Sequence, residues 1–204
     1  MPTITNLEVQ KNNKNRVNIY IDGEFWRGAE AISVVRHGLK MGMEVSVEQL
    51  TEAITDSECE RAFLKASEYL SRAMHTVDEM NKYLTKKGYD SNVVQYVTDK
   101  LKGYGYLDDE RYARMYAEQF GSARGQRRIA MELQRKGVGQ TIAEKFSAQD
   151  SDVAVANANA VADKYMRNKT PDTSNLVKLQ RHLLSRGYDF DTVNSVVNRF
   201  RNEV

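Results

Sequence analysis

The chain has 204 residues, of which 41% are hydrophobic and 28% are charged, and its formal net charge is +2 at pH 7. This length suits one or two average domains or an array of smaller units. No apolar run approaches the ~18 residues of a membrane span, the N-terminus lacks the apolar core of a signal peptide, and the single cysteine, Cys59, excludes an internal disulfide. We therefore expect a cytoplasmic protein whose binding properties depend on local clusters of charge.

The first 45 residues predict a small β-hairpin module followed by a helix. Apolar and polar residues alternate over 17–22, and Asp22-Gly23 is a strong two-residue hairpin signal. An earlier strand over 4–9 would be joined through a polar loop at 11–15. A helix over about 30–37 would follow the sheet.

From residue 46 onward the pattern predicts helices. Ser46 with Gln49, and Thr76 with Glu79, have the spacing of capping boxes. We expect a long helix after Ser46, with a break near Asp56, and a second helix after Thr76.

A repeat governs the architecture of this helical region. The pattern Leu-x-x-Lys/Arg-Gly-Tyr/Val occurs three times, and its glycines, Gly88, Gly137 and Gly187, lie 49 and 50 residues apart. We expect each glycine to end a helix with a positive φ. Such a period marks tandem units that are each too small to bury their own apolar face. The predicted fold is mainly α, with tandem three-helix repeats in an elongated, curved array behind the N-terminal module.

The expected boundaries are 1–45 for the β-hairpin and helix module, 46–107 for the first helical repeat, 108–150 for the second and 151–204 for the third.

The second repeat opens with a helix-start signal. Asp108 can cap the next helix, while Asp109 and Glu110 lie at the positive end of its dipole. One face of this helix should pack against the core, and it carries Tyr112, Met115, Tyr116 and Phe120.

The following helix, over about 125–136, separates apolar residues from arginines. On a helical wheel, Ile129 and Leu133 lie opposite four basic residues, Arg124, Arg127, Arg128 and Arg135. Guanidinium groups suit phosphate or carboxylate partners, and only Glu132 lies nearby to neutralise them. We expect a binding face that can be reversed in charge without disturbing the packing. The alternative is an ordinary solvated face.

Basic residues recur at comparable positions in the neighbouring repeats. Lys82 and Lys86 repeat the polarity of the arginine helix, and Arg181 offers a similar charge in the third repeat. They predict a basic stripe for nucleic acid or another acidic partner, with solubilising charge as the alternative. Most of the eleven tyrosines fall on apolar stripes, where core packing is expected in preference to base stacking.

No pattern indicates catalysis, a metal or a cofactor. Asp108 and Asp109 point about 100° apart on a helix, so they cannot converge on one ion by themselves. His37, His75 and His182 lack any ligand spacing. We expect no enzymatic activity, no metal and no nucleotide site.

The motifs resemble those of the RecX family, regulators of the bacterial recombinase RecA. The resemblance is carried by Gly105-Tyr106-Leu107-Asp108-Asp109-x-Arg111-Tyr112, by Gly125-x-x-Arg128-Ile129-x-x-Glu132-Leu133-x-x-Lys136-Gly137-Val138, and by Lys178-Leu179-Gln180-Arg181-x-Leu183-Leu184-x-Arg186-Gly187-Tyr188. The family often has a Lys-Gly pair and a proline around Gly125, where this chain has Ser122-Ala123 and Gln126.

This resemblance implies a non-catalytic, monomeric protein that binds the filament of RecA on single-stranded DNA. Such proteins mostly inhibit the ATPase, strand-exchange and co-protease activities of RecA in recombination and the DNA-damage (SOS) response. The alternative reading is a helical-repeat module that acts directly on DNA or RNA. Neither reading involves a membrane partner.

Overall fold

The computed structural model describes residues 1–202, which form a three-stranded antiparallel sheet followed by ten helices. The strands are β1 (Ile4–Gln10), β2 (Asn13–Ile21) and β3 (Glu24–Glu30). The helices are α1 (Ala31–Arg36), α2 (Val47–Leu70), α3 (Val77–Lys86), α4 (Ser91–Gly103), α5 (Asp109–Phe120), α6 (Gln126–Arg135), α7 (Gln140–Ser147), α8 (Ser151–Met166), α9 (Thr173–Ser185) and α10 (Phe190–Asn202).

The chain divides into two compact units. One comprises residues 1–73 and 80–106, and the other comprises residues 74–79 and the chain from 107 onward. The tandem three-helix repeats of the predicted fold are α2–α4, α5–α7 and α8–α10.

The N-terminal sheet is a meander with β2 in the centre. Val17 pairs with Val9 of β1 and Ala29 of β3, and the predicted turn has positive φ at Asp22 and Gly23. The loop predicted at 11–15 is wrong, because residues 13–15 already belong to β2. Their polar side chains are compatible with a strand here, since this end of β2 lies away from the buried core.

Helix α2 is continuous, so the break predicted near Asp56 is wrong. The apolar pattern lapses there because two polar residues, Ser57 and Glu58, are themselves buried. Ser57 shares a hydrogen bond with Ser33 at 3.0 Å, and Glu58 forms an ion pair with Arg27 at 3.1 Å. Buried polar groups with partners do not interrupt a helix.

Side chains at the predicted positions start the helices. The Asp108 carboxylate accepts a hydrogen bond from the Arg111 backbone N–H at 2.9 Å, which confirms the cap of α5. Thr76 Oγ1 accepts from the Glu79 N–H at 3.1 Å, while Glu79 Oε2 accepts from the Thr76 N–H at 3.3 Å. This second pair is a complete, reciprocal capping box.

The three repeat glycines all have the predicted left-handed conformation. Their φ angles are +89° at Gly88, +85° at Gly137 and +87° at Gly187. The residue after each glycine, Tyr89, Val138 or Tyr188, is buried. Each glycine therefore turns the chain back into the core at the end of α3, α6 or α9.

The prediction for α5 is confirmed in part, because Tyr112 and Tyr116 of the predicted face pack against the core of the second repeat. The fully buried residue of α5 is Ala113, which joins Ile129 and Leu133 in that core. The predicted face is only partly buried at its aromatic rings, and Met115 is 48% exposed. A small residue lets α5 approach the core closely, which leaves the larger side chains at the rim.

Candidate binding surfaces

The four arginines predicted to share one face have different environments. Arg127 and Arg135 are exposed, and no ion pair involves either of them within residues 1–202. Arg124 and Arg128 are partly buried and paired. The predicted face therefore contains two free guanidinium groups instead of four.

Arg124 precedes α6 and is held in place by the core of the second repeat. Its Nη1 donates to Glu132 Oε2 at 2.6 Å and to the Tyr116 hydroxyl at 3.0 Å. The guanidinium also lies 4.1 Å from the centre of the Phe120 ring. Gln149 Nε2 donates to the carbonyl oxygen of Arg124 at 3.3 Å, which fixes the loop before α6. Charge reversal at Arg124 would disrupt these contacts.

Arg128 lies at a junction between the second and third repeats. Its Nε donates to Glu132 Oε1 at 2.9 Å, and its Nη1 donates to the carbonyl oxygen of Ser185 at 3.0 Å. A Cβ at Gly187 would overlap the backbone of Arg128. The Gly125 N–H donates to the carbonyl oxygen of Arg186 at 2.9 Å, so the first turn of α6 meets the end of α9. The prediction that these arginines could be reversed without touching the packing is wrong for Arg124 and Arg128.

Glu132 neutralises both of the paired arginines. Burial raises the pKa of its carboxyl group, but hydrogen bonds from Arg128 and Tyr116 and the charge of Arg124 outweigh burial and hold the pKa below its usual value. The carboxylate is therefore ionised near neutral pH. Sequence reasoning recognised Glu132 as the nearby acid, but the junction with α9 is a contact between residues 57 positions apart.

The same kind of junction occurs one repeat earlier. Thr76 Oγ1 donates to the carbonyl oxygen of Lys136 at 2.5 Å, and a Cβ at Gly137 would overlap the side chain of Asp78. Lys136 Nζ donates to Glu79 Oε1 at 3.0 Å. Within the second unit, the residues that start α3 thus contact the glycine-ended C-terminus of α6. Lys136, the basic residue before Gly137, is therefore paired with Glu79 and is not free to bind a partner.

The remaining predicted contacts, Lys82, Lys86 and Arg181, are exposed. Lys82 and Lys86 lie on α3 in the first unit, and Arg181 lies on α9 in the second. A basic stripe shared among the repeats stays a prediction.

Sequence reasoning missed a concentration of positive charge in the third repeat. Residues 164–188 contain six basic residues and one acidic residue, a net charge of +5 in a chain whose total is +2. The basic residues are Lys164, Arg167, Lys169, Lys178, Arg181 and Arg186. Net charge summed over a sliding window of about 25 residues would have identified this segment. Considering each helix separately identified only Arg181.

Residues 1–202 contain neither a metal-binding cluster nor a membrane-spanning helix. No group of three or more His, Cys, Asp or Glu side chains could hold a metal ion there. None of the helices there has the length and apolarity needed to cross a membrane.

Three family models match the chain. The regulatory protein RecX N-terminal domain matches residues 2–46, the first three-helix domain of RecX matches residues 62–106, and the second matches residues 108–145.

Two relatives are similar to the chain over almost its whole length. A regulatory protein RecX of Clostridium perfringens (strain SM101 / Type A) is 34% identical, over 99% of this chain and 98% of the relative. One of Clostridioides difficile (strain 630) is 32% identical, over 99% and 97%.

Two solved structures share the fold. A crystal structure of regulatory protein RecX is 25% identical and has a TM-score of 0.67, covering 97% of this chain and 100% of the other. A crystal structure of RecX from Lactobacillus salivarius is 20% identical with the same TM-score of 0.67, and covers 72% of this chain and 99% of the other. The latter similarity concerns the fold alone.

Proposed function

The chain belongs to the RecX family, and we propose that it binds the filament of RecA on single-stranded DNA and restrains the activities of that filament. The proposed effects are lower ATP hydrolysis, strand exchange and co-protease activity, in recombination and the response to DNA damage. The chain would act by binding, without catalysis or a cofactor, as a monomer in the cytoplasm.

The observation that carries this proposal is similarity to regulatory proteins over the whole chain. The Clostridium perfringens relative covers 99% of the chain, so the similarity includes the N-terminal sheet and all three repeats. A regulator that binds a filament needs a surface for its partner and no reaction centre.

The free cations of the second repeat supply one part of such a surface. Arg127 and Arg135 extend from α6 on the side opposite Ile129 and Leu133, which are fully buried. Because two planar guanidinium groups are left without carboxylate partners in the described chain, they suit DNA phosphates or acidic side chains of RecA. We propose Arg127, Arg135, Lys82, Lys86 and Arg181 as contacts.

The alternative is a module that binds DNA or RNA directly, and the basic segment at 164–188 favours it. Electrophoretic mobility shifts with bare single-stranded DNA and with RecA-coated DNA distinguish the two functions. We expect stronger binding to the coated DNA. Binding of equal strength to bare DNA, with no effect on RecA, would support the alternative.

A further inference from the structure

Exposed apolar side chains of the first repeat lie together on α2, on α4 and just after α4. Leu64 of α2 is 63% exposed, and Tyr96, Tyr104 and Tyr106 are 53%, 58% and 64% exposed. Single exposed apolar residues are ordinary on a protein surface, whereas a contiguous group of them marks an interaction site. These four residues and Phe63 are called the tyrosine surface, and all of them belong to the first compact unit.

Phe63 connects the two parts of the tyrosine surface. It lines one cleft of about 570 Å³ with Leu64 and Tyr96, and a second cleft of about 520 Å³ with Tyr104 and Tyr106. The Phe63 and Tyr104 rings meet edge to face with their centres 6.1 Å apart, and the Tyr104 and Tyr106 rings lie 5.9 Å apart. The surface is therefore continuous, and its rings support one another before any partner binds.

A row of carboxylates on α2 borders one end of the tyrosine surface. Residues 41–60 contain six acidic residues and no Lys or Arg, a net charge of −6 in a chain whose total is +2. Four of the exposed acidic residues recur at four-residue steps and so share one face of α2, which continues to Leu64: Glu48, Glu52, Asp56 and Glu60. Asp56 and Glu60 also line the cleft beside Phe63. They are called the acidic border.

Little within the chain neutralises this row of carboxylates. In the part of the chain that the structure describes, Glu52 and Asp56 form no ion pair, and Glu60 pairs with Arg36 at 3.3 Å where both side chains are exposed. Exposed ion pairs contribute little to stability, so the Glu60 carboxylate can exchange its partner. Like charges at this spacing repel one another, which favours a cationic ligand.

The rings of the tyrosine surface already hold one cation of the chain itself. Lys100 Nζ lies 5.2 Å from the centre of the Phe63 ring and 5.6 Å from that of Tyr96. Aromatic faces attract ammonium and guanidinium groups at such distances. Rings and carboxylates of this surface therefore favour the same ligand chemistry, a cation carried beside apolar groups.

The acidic border decides which class of macromolecule fits. Exposed tyrosines can stack on the unpaired bases of a nucleic acid. The phosphates of that strand would then lie beside Asp56 and Glu60, where like charges repel. A protein surface that presents Lys or Arg beside an apolar side chain suits both the rings and the carboxylates, and Tyr is enriched in protein interfaces.

We propose that the tyrosine surface and its acidic border dock a basic protein surface that carries an apolar anchor, and that this surface belongs to the RecA subunits of the filament. The inference rests on the proposed function and adds to it a contact with protein instead of DNA. Leu64 and Tyr96 pack against the apolar anchor, while Asp56 and Glu60 pair with the neighbouring cations of the partner.

The test is biolayer interferometry of the chain on immobilised single-stranded DNA, either bare or coated with RecA in the presence of a non-hydrolysable ATP analogue. The variant Leu64→Ala/Tyr96→Ala/Tyr106→Ala truncates three exposed side chains. It should bind the coated DNA about tenfold more weakly, because a few anchor residues carry most of the energy of a protein interface. Its affinity for bare DNA should stay within about twofold of the native value, because phosphate contacts determine that affinity.

A second variant, Asp56→Lys/Glu60→Lys, tests the acidic border by the sign of its effect. Facing a basic protein surface, the reversal should weaken binding to coated DNA about tenfold at low salt, because each attraction becomes a repulsion. Facing DNA phosphates, the same reversal would strengthen binding, because it adds two cations.

Two control variants make matching changes elsewhere. Phe25→Ala/Val35→Ala/Met41→Ala truncates three other exposed apolar side chains, and Glu24→Lys/Glu118→Lys changes the net charge by the same amount at two exposed residues. Neither control should weaken binding to coated DNA. Circular dichroism and urea unfolding should show that all four variants are folded.

The results separate this inference from the proposed function. Folded variants of the tyrosine surface and acidic border that bind coated DNA like the native chain would overturn the inference, while the proposed function would stand if the native chain lowered ATP hydrolysis by RecA. An equal loss on bare DNA, or stronger binding after the reversal, would identify DNA as the ligand and also overturn it. A native chain that neither binds the filament nor lowers its ATP hydrolysis would overturn the proposed function and this inference together.

Discussion

The guanidinium of Arg128 donates a hydrogen bond to the backbone carbonyl oxygen of Ser185 at 3.0 Å, across the junction between α6 and α9. Arg128 therefore stabilises the contact between two repeats, while its neighbour Arg127 is exposed. Adjacent arginines with the same chemistry have separate roles, one within the fold and one available to a partner.

This difference predicts that alanine substitution lowers the stability of the chain at Arg128 but not at Arg127. Arg128→Ala should lower the free energy of unfolding by about 1 kcal/mol, because the Ser185 carbonyl oxygen and the Glu132 carboxylate each lose a charged hydrogen-bond donor at the junction. Arg127→Ala should change it by less than about 0.5 kcal/mol, as expected of an exposed residue. Urea unfolding measures both, and equal costs would show that Arg128 has no special part in the junction.

The two aspartates at the start of α5 provide a second prediction. Asp108 caps α5 itself, whereas Asp109 Oδ1 accepts from the Val77 N–H at 3.0 Å and so caps α3. Each substitution by alanine should cost about 1 kcal/mol in urea unfolding, because each removes the acceptor for a free helical N–H. Asn at either position should retain most of the stability. If Asp109→Ala were silent while Asp108→Ala was not, the cap of α3 would be unimportant.

These aspartates also show what local sequence could predict. The cap at Asp108, the capping box at Thr76 and the three left-handed glycines depend on residues within one helical turn, and all were predicted correctly. Asp109 was assigned only to the dipole of its own helix. Its partner, Val77, lies 32 residues earlier, where no local pattern indicates it.

The candidate site was predicted less completely for the same reason. The wheel placed Ile129 and Leu133 in the core and four arginines opposite them. It could not show that Arg128 meets Ser185 or that Arg124 packs on Phe120, because both contacts depend on how helices are placed in three dimensions. Similarly, the buried Ser57 and Glu58 resembled a helix break because their partners lie on other elements.

A third prediction concerns the buried carboxylate of Glu30. Burial raises the pKa of Glu30, but hydrogen bonds from Tyr89, Lys65 and Arg61 prevail and hold it below its usual 4.5. Ionised Glu30 thus contributes stability that is present above pH 4.5 and is lost as the pH falls through its folded-state pKa. Tyr89→Phe should cost about 2 kcal/mol at pH 7, as a charge-assisted hydrogen bond is removed. Because the pKa of Glu30 then rises, acid unfolding should begin at a higher pH.

Tyr188→Phe is the matched control for Tyr89→Phe. Tyr188 follows the third repeat glycine as Tyr89 follows the first, and it is 2% exposed against 4% for Tyr89. Its hydroxyl has no hydrogen-bond partner within residues 1–202. Tyr188→Phe should therefore leave both the free energy of unfolding and the acid transition nearly unchanged. Equal losses in the two variants would indicate that ring packing, and not the bond to Glu30, determines the cost.

The proposed action on RecA is tested most directly by the rate of ATP hydrolysis of preformed RecA filaments on single-stranded DNA, measured while the native chain is added. We predict that the rate falls with increasing concentration of the chain. Folded Arg127→Glu/Arg135→Glu should lose much of this effect at low salt, because each reversal places a repelling charge against an anionic partner. A rate that stays constant at concentrations where the native chain binds bare DNA would contradict the proposed regulation of RecA.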